Sequence, residues 1–74
     1  MKRLYQLRFL DKVSNHYSGD ASKILNFVKT ARVDDAIQYI GLDGIGLWSF
    51  PPYKIEFHYD SINQLIKVLD ITIP

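Results

Sequence analysis

The feature that most constrains this fold is an unbroken alternation running from residue 53 to residue 60. Tyr53, Ile55, Phe57 and Tyr59 are interleaved with Lys54, Glu56, His58 and Asp60. A period of two sends successive side chains to opposite sides of an extended chain. The pattern therefore predicts a strand at 53–59 with one buried face and one wet face. A sheet of that kind needs a second layer over its apolar side, and helical patterns elsewhere in the chain supply one.

Upstream, residues 45–50 (Ile45-Gly46-Leu47-Trp48-Ser49-Phe50) read as a strand that Pro51-Pro52 ends, since proline offers no amide to a ladder. Tyr5, Leu7 and Phe9 alternate with Gln6 and Arg8, predicting a strand over 3–10. Residues 14–19 are turn-forming, and Asp20 is placed to cap a helix over 20–31. That helix gathers Ile24, Leu25, Phe27, Val28 and Ala31 on one face. Residues 34–41 fit two states. As a helix, Asp34 and Asp35 suit the first turn and Val33, Ile37 and Ile40 form a stripe. As a strand, Ala36 to Gly41 leads into Leu42-Asp43-Gly44, a hairpin-turn signal.

Ser61 and Gln64 have capping-box spacing. Ile62, Leu65, Ile66 and Leu69 recur at helical spacing, predicting a helix over 61–69. Residues 71–73 could add a short edge strand, a route to a homodimer through Ile71–Ile73. The expected architecture is a single α+β domain over 1–74. It would have a small antiparallel sheet of three to four strands with the helices on one face.

Composition narrows the function classes. At 74 residues folding buries only roughly 60% of the unfolded chain's surface, and a 47% hydrophobic content is enough to build that core. The absence of cysteine excludes disulfides, thiolate metal sites and cysteine nucleophiles. No signal-peptide pattern or membrane-length apolar run is present, so a cytoplasmic location is expected. The wealth of Ile, Lys, Asp, Asn and Tyr relative to Ala and Arg would suit an AT-rich bacterial or phage genome. The net charge of +1 argues against a dedicated nucleic-acid binder. Lys2, Arg3, Arg8 and Lys12 are the main basic concentration.

Several constellations could carry chemistry. Glu56, His58 and Asp60 share one strand face, but at roughly 6.5–7 Å between successive residues they are too widely spaced for three bonds to one ion. A solvated polar face is the better explanation, and no metal is expected. His16 and His58 could form a nuclease-like acid/base pair if they met in space, with Arg8 or Lys54 to hold a phosphate. Residues 21–31 and 34–41 could form a helix-turn-helix, although Asp34 and Asp35 would then face the phosphate backbone. Gly41, Gly44 and Gly46 lack the surroundings of a nucleotide loop, so no cofactor is expected.

The run from Leu47 to Tyr53 contains Trp48, Phe50, Pro51, Pro52 and Tyr53, more aromatic surface and stiffness than a turn requires. Trp and Tyr are frequent interface anchors, and prolines reduce the cost of ordering a loop. The alternative is that Trp48 and Phe50 sit in the core.

The sequence therefore points to a small non-catalytic protein-binding module of the stoichiometric inhibitor, immunity or phage anti-defence type, whose partner is another protein. Trp48, Phe50, Pro51, Pro52 and Tyr53 are the expected anchors, rimmed by Lys54, Glu56, His58 and Asp60. A helix-turn-helix regulator and a histidine-dependent nuclease are the alternative expectations.

Overall fold

A computed structural model describes residues 1–40 and 44–73, with the side chains of Tyr39 and Ile40 left aside. The chain is α+β. Five strands form one mixed sheet: β1 (Lys2–Tyr5), β2 (Gln38–Ile40), β3 (Ile45–Phe50), β4 (Tyr53–Asp60) and β5 (Leu65–Thr72). Their order across the sheet is β1-β5-β4-β3-β2, with β1 parallel to β5 and every other pairing antiparallel. Two helices, α1 (Leu7–His16) and α2 (Ala21–Thr30), cover one face. The α+β class is as expected; the sheet has five strands where three to four were expected, and it is mixed where an antiparallel one was expected.

The strands at 45–50 and 53–59 and the helix at 20–31 form close to where their patterns place them. The strand expected over 3–10 does not. It stops at Tyr5, and α1 begins at Leu7. The alternation Tyr5, Leu7, Phe9 was incomplete evidence: Leu7 is exposed, whereas Phe9 and Val13 are buried one helical turn apart. The Tyr5 ring also stacks on Phe9 at 6.1 Å. Residues 14–16, expected as part of a turn, complete α1. Asp20 does not cap α2 with its side chain; its carboxylate accepts a hydrogen bond from the Tyr53 hydroxyl. At the other end of α2, Arg3 Nη1 donates to the Val28 carbonyl at 2.9 Å, satisfying an oxygen with no intrahelical partner.

Residues 34–41 take neither expected form throughout. A 3-10 turn over Val33–Asp35 precedes β2; Gly41, the end of the expected strand, and Leu42 and Asp43 of the expected Leu42-Asp43-Gly44 turn lie outside the described residues. Where the second helix of a helix-turn-helix was expected, the described residues form a 3-10 turn and strand β2, so that motif is overturned.

The helix expected over 61–69 is replaced by a turn and β5. Asp60 Oδ1 accepts from the amides of Ile62 and Asn63, both at 3.1 Å, and Oδ2 accepts from Asn63 Nδ2 at 2.8 Å. This clamps a turn in which Gln64 has φ 53°, outside helical space. Ile62, the supposed start of an apolar stripe, is 91% exposed. Ile66, Val68 and Ile71 are the buried residues of the segment. A register shift opposite Glu56/Phe57 places an extra residue between Val68 and Ile71, and this bulge hides the period of two. Residues 71 and 72 thus end β5, paired with Ile55 and Lys54 of β4, while β1 pairs only with residues 65–68 on the other side.

The core joins Phe9, Val13, Ile24 and Val28 from the helices to Trp48, Ile55, Phe57, Ile66, Val68 and Ile71 from the sheet. Trp48 stacks on Phe57 at 4.0 Å, and Phe27 stacks on Phe50 at 4.8 Å. Gly46 is required here, because a Cβ at this position would overlap the Phe57 ring.

Candidate protein-binding surface

Helices α1 and α2 occupy one side of the sheet; among the described residues no element lies over the other. The composition of that open face follows from register. On β3, Gly46 and Trp48 turn inward, so Ile45, Leu47 and Ser49 turn outward. On β4 the outward residues are Lys54, Glu56, His58 and Asp60. Leu65 and Lys67 of β5, Lys2 and Leu4 of β1, and Gln38 of β2 share this face, and Asp70 and Thr72 of β5 stand in register with Glu56 and Lys54.

Cross-strand pairs arrange these side chains in rungs. Ile45 faces His58, His58 faces Lys67, and Lys67 faces Leu4. Gln38 faces Leu47, and Leu47 faces Glu56. The face is an apolar field of Ile45, Leu47, Leu65 and Leu4, interleaved with charged residues. Ile45, Leu47 and Leu65 are half-buried by their neighbours, and Leu4 is exposed.

Electrostatics at its borders are settled locally. Lys54 Nζ donates to Ser49 Oγ at 3.3 Å. The Asn63 side chain, with the Asn63 and Ile62 amides, holds the Asp60 carboxyl below the ordinary carboxylate range. At the far edge, burial would raise Asp70, but the Lys12 hydrogen bond, the Ile71 amide and the charges of Lys12 and Arg8 pull it below that range. Lys12 Nζ lies 2.8 Å from Asp70 Oδ1 and also donates to the Ile71 carbonyl.

The expected anchors are redistributed. Trp48 is fully buried, and its Nε1 donates to the Arg32 carbonyl at 2.8 Å. Tyr53 is 5% exposed, held by Asp20 and by an edge-on contact with Tyr17 at 5.0 Å. Neither ring is available to a partner. Phe50 is half-buried against Phe27, leaving Pro51 and Pro52 as the exposed part of the run. The expected rim fares differently, because Lys54, Glu56, His58 and Asp60 do share the open face. They border Ile45, Leu47 and Leu65 rather than the aromatic run. The signal for this was present in β3: if Trp48 turns inward, Ile45 and Leu47 must turn outward.

The histidines do not meet. His16 ends α1 beside Tyr17, which packs on Tyr53 at the start of β4. His58 is on the opposite face, and its distance from Tyr53 along the strand is about 17 Å by strand rise. Among the described residues, no group of three His, Asp or Glu side chains could hold a metal ion. The basic concentration near the N-terminus is largely committed: Arg3 to Val28, and Lys12 and Arg8 to Asp70. No described helix is long and apolar enough to cross a membrane.

No family model matches the chain, and no curated protein matches it in sequence. Among solved structures, it is similar to a chain in the crystal structure of the intact E. coli RelBE toxin–antitoxin complex, with a TM-score of 0.67 and 10% identity. The match covers 99% of this chain and 95% of that one. At that identity the likeness is one of fold.

Proposed function

We propose that this chain is a small protein-binding module that acts as one half of an inhibitory pair, meeting its partner through the open face of the sheet. The observation that carries the reading is the sheet face that no described element covers, on which half-buried Ile45 and Leu47 of β3 and Leu65 of β5 flank the charged row of Lys54, Glu56, His58 and Asp60 on β4. Apolar side chains mixed with charged ones on one exposed face match the composition of non-obligate protein interfaces, in which the charges set register and partner choice. The structural neighbour comes from a toxin–antitoxin complex, so the same fold is found there in a protein–protein assembly. In this reading the chain works by stoichiometric contact and is not an enzyme.

The test is affinity capture from the native host with wild-type protein and with Leu47→Asp. Leu47→Asp should keep its circular dichroism and thermal transition while losing the captured partner. A folded Leu47→Asp protein that retains the partner at wild-type levels overturns the proposal. Substituting Pro51 and Pro52 by alanine should leave capture intact, because the hairpin they form is off the open face.

A further inference from the structure

The Gln38–Leu47–Glu56 rung, running across β2, β3 and β4, contains a shallow pocket of about 130 Å³. Ile45 and Leu47 form its apolar lining, with the Gln38 amide on one side and the Glu56 carboxylate on the other. By strand spacing the two polar residues stand about 10 Å apart across Leu47. The carboxylate is uncommitted: among the described residues Glu56 makes no hydrogen bond and no ion pair. Its cationic neighbour on the strand, Lys54, donates to Ser49 instead. Asp70, opposite Glu56 on β5, is a second carboxylate, and it is Asp70 that holds the nearby Lys12 ammonium at 2.8 Å.

We propose that this pocket receives an arginine side chain of the partner protein, with its methylenes on Ile45 and Leu47 and its guanidinium between Glu56 and Gln38. Charge selects a cation, because the carboxylate and the amide oxygen both accept. The apolar lining selects a cation with an aliphatic stem, which such side chains lay along apolar surface. Arginine fits better than lysine because its planar fork can donate to two acceptors at once and is less strongly hydrated. This assignment rests on the open face being the protein-binding surface and names one residue that the partner must present.

The probe is acetyl-arginine methylamide, titrated into the isotope-labelled full chain and followed by amide NMR. Saturable shifts are expected at Gln38, Ile45, Leu47 and Glu56. The lysine analogue should bind more weakly, and the uncharged norleucine analogue should produce no saturable change. Glu56→Gln should weaken arginine binding by about tenfold, the size of one lost charge-assisted hydrogen bond; Gln38→Ala should weaken it less. Equal binding of norleucine, absence of saturable shifts at these residues, or indifference to Glu56→Gln each overturns the proposal.

The two readings fail separately. If Leu47→Asp abolishes partner capture while the arginine probe does not bind, the binding face stands and the arginine pocket falls. If the probe binds as expected but Leu47→Asp captures normally, the pocket stands as a cation site and its assignment to a partner's arginine falls.

Discussion

Trp48 shows how one residue can be legible in kind and misleading in role. Its size and its place between glycine and proline made it a credible anchor, yet its ring stacks on Phe57 and its Nε1 is bonded to Arg32. Nothing local in the sequence records that donor's partner, which depends on the turn after α2. Trp48→Ala should cost about 3–5 kcal/mol in urea denaturation, as expected for a large ring removed from a packed core. Asp60 makes a pH-dependent contribution. Its folded pKa lies below the ordinary value, so its stabilisation is present above the unfolded carboxylate pKa and is lost as pH falls through the folded one. Asp70 has the same sign. The acid limb of the stability profile should therefore become shallower in Asp60→Asn, and a profile identical to wild type would refute this role.

At the scale of elements, legibility followed the regularity of the strand. β4 was readable because it alternates without interruption over its buried half, and β3 because its limits are marked by glycine and proline. β5 was misread because the bulge near Asp70 converts an alternation into spacings that also fit a helix. The end of β1 was misread because Leu7 carries an apolar side chain to solvent. These ambiguities are resolved by tertiary partners rather than by local preference. The open face was legible only in part: its polar members were visible in β4, whereas its apolar members required knowing which way Trp48 turns. Gly46 provides an element-scale test of the β3–β4 packing. Gly46→Ala should lower stability by about 1–3 kcal/mol through overpacking, and Phe57→Leu in the same protein should recover part of the loss. Two purely additive losses would contradict a direct clash between these positions.

For the whole molecule, one layer of helices lies on one side of the sheet and no described element lies on the other, as the charge pattern of β4 had implied. An apolar field on such a face is a liability unless something covers it. Charges from Lys54, Glu56, His58 and Lys67 interrupt it and should limit self-association. Replacing Lys54 and Lys67 together by leucine should therefore shift the protein to larger species, measured by size-exclusion chromatography with light scattering. An unchanged mass across the concentration range would show that these lysines are not needed to keep molecules apart.

The placement of β5 between β1 and β4 has a consequence for how the chain acquires its shape. During synthesis β1 emerges before the other described elements, but the strand it lies against is made after all of them. Until then its amides and carbonyls have only water as a partner, and the helices lack a large part of the surface they cover. Closing that long loop is slow relative to forming α1 or α2. The growing chain should therefore remain open to proteases until β5 clears the ribosome, then become resistant in a single late step.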